Sequence, residues 1–265
     1  MINFERVVKV DSLEEAWELN QERTNVVLGG FMWMKMANRT IASAIDLSGL
    51  GLDSIEETSE EFRIGSMCTL RSLELHPGLD REFGGFIREA LHHIVGVQFR
   101  NGATVGGSVF GRYGFSDVLT SLLALDTYVE LFKGGLVPLR DFAEMKLDSD
   151  ILVRVIIKKD GRKAAYQSQR NTKTDFPVIA AAVAIKGSTV YVSVGARTSK
   201  SSLLENADIG LAPGSSPEAI GEFAQWASEQ FTYGKDMRAG ADYRKHLASV
   251  YIRRGLTEIL GGEKA

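Results

Sequence analysis

Gln98-Phe99-Arg100-Asn101-Gly102-Ala103-Thr104-Val105-Gly106-Gly107-Ser108, continuing Val109-Phe110-Gly111-Arg112-Tyr113-Gly114-Phe115-Ser116-Asp117, is the most informative stretch of this 265-residue chain. It sets five glycines beside the hydroxyls of Thr104 and Ser108 and closes on a carboxylate. Residues without Cβ let main-chain N–H groups converge, so this composition suits a polar ligand lying along exposed backbone. It is not a Walker loop, because no Gly-Lys-Ser/Thr follows. It is not a G-x-G-x-x-G fingerprint opening a helix either. A set of purely structural turns is the competing reading.

A second glycine cluster lies upstream. Asn25 to Leu28 reads as a short β-branched strand ending on Gly29-Gly30, followed by Phe31-Met32-Trp33-Met34-Lys35-Met36. Paired glycines after a strand permit positive φ and a concave ring of N–H donors. Alone, the segment reads equally as a tight turn with core side chains.

Composition narrows the class. Hydrophobic residues make up 44%, enough for a large core, and the net charge of -3 gives no basic field for nucleic acid. The only cysteine, Cys68, excludes an internal disulfide or a cysteine-ligated cluster, and its apolar setting predicts a core thiol. The four histidines, His76, His92, His93 and His246, show no ligand-type spacing among themselves. Met1 to Val10 has no signal-like apolar core, and no apolar run reaches membrane-spanning length, so a cytoplasmic protein is expected.

Patterning predicts strand Phe4–Val10, a helix capped at Asp11 or Ser12, and strands near Asn25–Leu28 and Ala44–Leu47, a β-α-β-β opening. A hairpin at Ser54–Ser59 and strand Glu61–Ser66 follow. Thr69 opens a helix closed by His76-Pro77-Gly78, and Phe83–His92 is helical. Ser116 caps another helix to Ala124. Thr127–Phe132 and Val137-Pro138-Leu139 are strands, the latter at an edge. Ile151–Lys158 is expected to turn at Asp160-Gly161 into Lys163–Ser168 as a hairpin, with Lys158, Lys159, Arg162 and Lys163 solvated. Asp175–Lys186 and Thr189–Ala196 pair antiparallel, and helices span Pro217–Phe231 and Ala241–Leu260. This order predicts an α+β fold with a boundary near residue 160.

At this point a family resemblance emerges. Val27 to Lys35, Asp46-Leu47, Ile64-Gly65 and Gln98 to Asp117 are similar, in order, to the FAD-binding medium subunits of molybdenum hydroxylases. That group includes xanthine dehydrogenase, nicotinate dehydrogenase and aerobic carbon monoxide dehydrogenase. The family phrase Q-x-R-N-x-A-T-x-G-G-N, then S-D-x-x-P, is matched from Gln98 to Thr120. Ala241-Asp242-Tyr243-Arg244-Lys245-His246-Leu247 resembles the family's E-Y-R-x-H-L helix. The resemblance implies a PCMH/vanillyl-alcohol-oxidase-type FAD-binding domain, residues 1–160, with α+β subdomains about 1–56 and 57–160. A C-terminal domain, 161–265, would follow, with antiparallel strands packed against helices.

It also implies site residues. Val27, Leu28, Gly29, Gly30, Phe31, Met32 and Trp33 would wrap the FAD diphosphate, joined by Thr104, Gly107, Ser108 and Gly111. Ser116 and Asp117 would face the ribityl and sugar hydroxyls, and Ile151 and Leu152 the adenine or flavin. Phe110 and Tyr113 would pack on the flavin or in the core, and Gln167 stands where many members carry Lys. No catalytic side chain or metal ligand is implied. Partner subunits would supply a molybdopterin centre and two 2Fe–2S clusters, and FAD would pass their electrons to NAD+ or another acceptor.

Departures stand out. The family's Gly-Gly-Thr-Asp is Gly29-Gly30-Phe31-Met32 here, and its Gly-Gly-Asn is Gly106-Gly107-Ser108. Main-chain donors would then carry FAD binding. The alternatives are a flavin-free structural or assembly subunit of the same complex and a stand-alone flavin oxidase.

Overall fold

The computed structural model describes residues 2–207 and 210–261. Residues 1 and 262–265, at the ends of the two expected domains, and 208–209 within the second, lie outside the described residues.

The chain opens with β1 (Asn3–Lys9), α1 (Leu13–Asn20), β2 (Val26–Leu28), a 3-10 turn (Met34–Met36) and β3 (Thr40–Asp46). Ser12 caps α1 by accepting from Glu15 N–H, with Glu14 and Glu15 in the first turn, where the helix dipole favours acids. The strands form a parallel sheet in the order β1-β3-β2.

A five-stranded antiparallel sheet follows, ordered β4-β5-β8-β6-β7, with strands β4 (Ile55–Glu57), β5 (Glu61–Gly65), β6 (Thr127–Leu131), β7 (Gly135–Pro138) and β8 (Leu152–Lys158). Pro138, without an N–H, sits on the edge strand β7 as a proline must. Short helices are inserted between β5 and β6: α2 (Leu70–Glu74), α3 (Pro77–Phe83), α4 (Phe86–Leu91), α5 (Val97–Gly102), α6 (Val105–Phe110) and α7 (Asp117–Leu123). Helix α8 (Leu139–Glu144) lies between β7 and β8.

The last sheet is antiparallel, β12-β11-β10-β9, from β9 (Lys163–Arg170), β10 (Pro177–Lys186), β11 (Thr189–Gly195) and β12 (Ser202–Asn206). It is buried on both faces. Ala180, Ala182 and Ala184 join the core of the helical insert, while Ile179, Ala181 and Val183 face α9 (Pro217–Glu229) and α10 (Ala241–Leu260). That two-sided burial explains the uninterrupted apolar run of β10. Arg244 of α10 is 1% exposed and donates to the carbonyls of Val178 and Ala196 and to Asp236. The arginine of the C-terminal phrase is therefore a clamp between α10 and the sheet.

The structure corrects several local expectations. His76-Pro77-Gly78 begins a helix as well as ending one: His76 Nδ1 accepts from Leu79 N–H, and Pro77 fits the first turn, where its missing N–H costs nothing. The expected helix Phe83–His92 is split, because Gly84 at φ 59 caps α3 in the left-handed conformation. The glycine-rich segment is largely two helical turns, α5 and α6. Asp160-Gly161 joins two sheets and makes no hairpin, since β8 pairs with β5 and β6 while β9 pairs with β10. Arg162, expected in solvent, is 7% exposed. Its guanidinium donates to Asp160 and, at 2.8 Å, to the carbonyl of Ala124. Strand β12 had no counterpart in the sequence reading.

Candidate functional site

Where β2 ends, Gly30 (φ 77) and Phe31 (φ 64) are consecutive left-handed residues. Glycine adopts this freely, whereas Phe31 pays a steric cost of about 1 kcal/mol. The turn packs directly on the second glycine segment. A Cβ on Gly29 would lie 3.1 Å from Thr104 Oγ1, and one on Gly107 would lie 2.9 Å from the Gly29 carbonyl oxygen. The glycines thus let two backbones touch.

The second segment is fastened from within. Thr104 caps α6, its Oγ1 accepting from Gly107 N–H at 3.2 Å, and Ser108 Oγ donates to the Thr104 carbonyl at 2.8 Å. Val105 N–H and Gly106 N–H donate to the carbonyls of Cys68 and Ser66. The first segment differs. Among the described residues, the N–H groups of Gly29, Gly30, Phe31 and Met32 have no acceptor within the chain. Unpaired main-chain donors need water or a ligand.

Gly29, Phe31 and Met32 border a cavity of about 390 Å³, within the range of small-molecule sites. Val27, Leu28, Gly29, Phe31, Met32 and Trp33 line it from the first segment, and Thr104, Gly107, Ser108, Phe110 and Gly111 from the second. Ile151 and Leu152 complete the opposite wall, both buried. Gly30 is not part of the lining; it sits against Gly102, shaping the turn. The cavity also reaches Asn20, Glu22, Arg23 and Asn25 at the far end of β2, so it is elongated, on the order of 10 Å along the strand. Arg23 is the sole basic side chain in its lining. These four residues, with Ser66, Met67 and Asp148 to Asp150, are lining residues that the sequence does not announce. No motif marks them, and only the folding of β2 beside β8's entrance brings them together.

Besides Gly30, three expected residues lie outside this lining. Ser116 and Asp117 line a smaller neighbouring cavity of about 110 Å³, which shares Trp33, Ser108 and Tyr113 with the larger one. Ser116 Oγ caps α7 and donates to the Ser108 carbonyl at 3.1 Å. The Asp117 carboxylate accepts from Arg170 Nη2 and from Tyr166 Oη, each at 2.5 Å. Desolvation and the Asp117 charge hold the Tyr166 phenol well above its ordinary pKa. Desolvation lowers the Arg170 pKa, but Asp117 outweighs it and raises the net value. Breaking so buried a pair would be costly. Gln167, one residue from Tyr166 on β9, points to the opposite face and lies 3.4 Å from Glu258 on α10.

An aromatic cluster forms the partition between the cavities. Trp33 stacks on Phe176 at 5.0 Å and meets Phe99 and Phe115 at 5.1 and 6.0 Å. Tyr113 lies parallel to Phe115 at 5.3 Å and is 45% exposed. Phe110 packs toward Phe142 at 6.1 Å as well as lining the larger cavity.

An elongated cavity floored by glycine and fringed with free N–H groups suits a dinucleotide. Residues 2–159 match the family model described as the FAD binding domain in molybdopterin dehydrogenase, and the chain belongs to that family. It is 25% identical over 275 residues to the nicotine 6-hydroxylase medium subunit of Paenarthrobacter nicotinovorans, covering 93% of this chain and 94% of that one. It is 27% identical over 255 residues to the uncharacterized protein YgfM of Escherichia coli K12, covering 94% of each. The structure superposes on a chain of carbon monoxide dehydrogenase from Hydrogenophaga pseudoflava with a TM-score of 0.83, 20% identity and 98% coverage of both. For quinoline 2-oxidoreductase from Pseudomonas putida 86 the TM-score is 0.82 at 17% identity, covering 99% and 98%. These structural matches show the fold. The family match identifies an oxidoreductase subunit with an FAD-binding domain. Among the described residues no helix is long and apolar enough to cross a membrane.

Proposed function

We propose that this FAD-binding subunit transfers electrons within a molybdenum hydroxylase, receiving them from 2Fe–2S clusters of a small partner subunit and delivering them to NAD+ or another acceptor. A large molybdopterin subunit would carry the hydroxylation, in the manner of xanthine dehydrogenase, and the complex would work in the cytoplasm. The observation that carries this reading is the run of free N–H donors from Gly29 to Met32 beside the elongated cavity. The chain's own residues would bind and orient the group.

In this reading Gly29 to Trp33 hold the diphosphate through the main chain. Ile151 and Leu152 would pack against the ligand, and Arg23 would be available to its adenosine side. Thr104, Gly107, Ser108, Phe110 and Gly111 flank the ribityl chain. When bound, the isoalloxazine would supply the redox chemistry, a group able to take electrons singly and give them up in pairs. Residues 1–160 would form the FAD domain and 161–265 a C-terminal domain whose Phe176 closes on Trp33. The FAD domain would divide into subdomains of about 1–56 and 57–160.

The test is purification of the native chain with whatever accompanies it. Co-purification with a molybdopterin subunit and a cysteine-rich iron–sulfur subunit is expected, as is anaerobic bleaching of the flavin near 450 nm by the hydroxylase substrate. A preparation that assembles with those partners but never binds FAD would replace electron transfer with a purely structural role. Failure of NADH to reduce the flavin would remove NAD+ as the acceptor.

A further inference from the structure

Glu89, His92 and His93 bring one carboxylate oxygen and one nitrogen from each ring within 4.8 Å of one another, in a cluster that lines neither cavity. Their spacing accounts for the meeting, since residues three and four apart share a helix face. Helix α4 ends at Leu91, with His92 as its cap. His92 Nδ1 donates to the carbonyls of Arg88 and Glu89 at 3.3 and 3.1 Å, which leaves Nε2 as the ring nitrogen open to a metal. The two imidazole centroids are 3.6 Å apart. Two rings this close repel if both are protonated. Burial, His92, Arg170 and Lys173 hold the His93 imidazole toward its neutral form, against a smaller opposing pull from Glu89. His93 Nδ1 is buried without a hydrogen-bond partner, which is costly unless something supplies one. The sequence reading weighed the histidines by themselves and left out Glu89.

We propose that Glu89, His92 and His93 bind a divalent transition-metal ion of the zinc type. Two imidazoles and one carboxylate favour zinc, nickel or copper over calcium or magnesium, which take oxygen ligands. Zinc bonds of about 2.0–2.2 Å require the three ligand atoms to close to about 3.4 Å apart. Glu89, with its side chain 57% exposed, is free to make that adjustment. Of the nearby cations, Arg88 pairs with Asp80 and Arg170 with Asp117, and Arg170 followed by Lys173 are the charges that oppose a cation here. Three protein ligands leave a coordination position for water.

The site adjoins the smaller cavity. Ile94 and Val95, directly after His93, line it, and Val95 is held at φ 48, a conformation rare for a β-branched residue. A metal at His92 and His93 would anchor the start of this strained segment.

The experiment is titration of the metal-stripped, untagged full-length chain with Zn2+, and separately with Co2+, whose visible spectrum reports nitrogen and oxygen coordination. One ion per chain with micromolar affinity is expected. His93→Gln and Glu89→Gln should each weaken binding by about tenfold or more. Exposed Glu89 makes that variant a safeguard against misfolding, and metal-free melting curves of both should match the parent. Absence of saturable binding at submillimolar zinc would overturn the site, as would affinity unchanged in Glu89→Gln and His92→Gln.

Discussion

Gly30 and Gly102 meet backbone to backbone: a Cβ on Gly30 would stand 1.8 Å from the Gly102 carbonyl oxygen. This contact sets the first glycine turn against the end of α5 and fixes where its N–H groups lie. Gly30→Ala adds that overlap to a left-handed φ, so a loss of about 2 kcal/mol or more is expected. The purified variant should contain little FAD and melt earlier. Full flavin content in a stable Gly30→Ala chain would show that the turn does not shape the site.

Phe31 tests whether side chain or backbone matters. Its left-handed φ of 64 costs about 1 kcal/mol, and its ring contact with Phe4 at 5.1 Å returns a similar amount. Phe31→Asn, which tolerates this conformation, should leave stability within about 1 kcal/mol and FAD affinity unchanged. A large fall in affinity by titration would mean that the aromatic ring itself touches the ligand.

Trp33 lines both cavities, whereas Trp17 and Trp226 line neither. Adding FAD to flavin-free chain should therefore quench tryptophan emission chiefly through Trp33. Trp33→Phe should lose most of that quenching while still binding FAD. Equal quenching in parent and variant would place the flavin away from the aromatic partition.

Asp160 holds the crossing between the second and third sheets. Desolvation pushes its carboxyl upward, but hydrogen bonds from Arg162 and Lys186 outweigh it and keep the group below its ordinary value of 3.8. A depressed carboxyl stabilises the fold fully above that ordinary value and loses the contribution as pH falls through the folded one. Asp160→Asn should cost about 3 kcal/mol at neutral pH, because Arg162 is then left buried and unpaired. In urea unfolding the gap between parent and variant should shrink below pH 3.8. A gap independent of pH would refute the ion pair as its source.

Cys68 is 1% exposed and its thiol donates to the Ser54 carbonyl at 3.1 Å. Desolvation pushes its pKa up to about 11. The native chain should resist a thiol-reactive dye at pH 8 and label fully once unfolded. Rapid native labelling would contradict the buried assignment.

What could be read in advance follows physical locality. The caps Ser12, Thr69 and Ser116 act within three residues, so their helices were legible. The alternation around Gly187 was equally plain, and β10 pairs with β11 there. The two helical turns after Gly96 were hidden, because glycine disfavours a helix that tertiary contacts to Ser66 and Cys68 nevertheless hold. The Asp160-Gly161 dipeptide reads as a hairpin because its turn chemistry is local, whereas Lys186, which pairs with Asp160, and the Ala124 carbonyl, which accepts from Arg162, are not. The countercharge of Asp117, Arg170, lies 53 residues away and is visible only in the fold. Within the candidate site, the glycines were visible, but the division of labour between the two segments was not. Which N–H groups remain free depends on how the second segment folds.

A cofactor gripped by main-chain donors leaves little trace in the alphabet of side chains. Around Gly29 to Met32, what must be inherited is a path of the chain, and many spellings encode that path. Phe31 and Met32 in place of a hydroxyl and an acid are thus synonyms at the level of shape. In the proposed reading, chains can differ in the letters of this turn and keep its path, and residues 2–159 match the family model with Phe31 and Met32 in place.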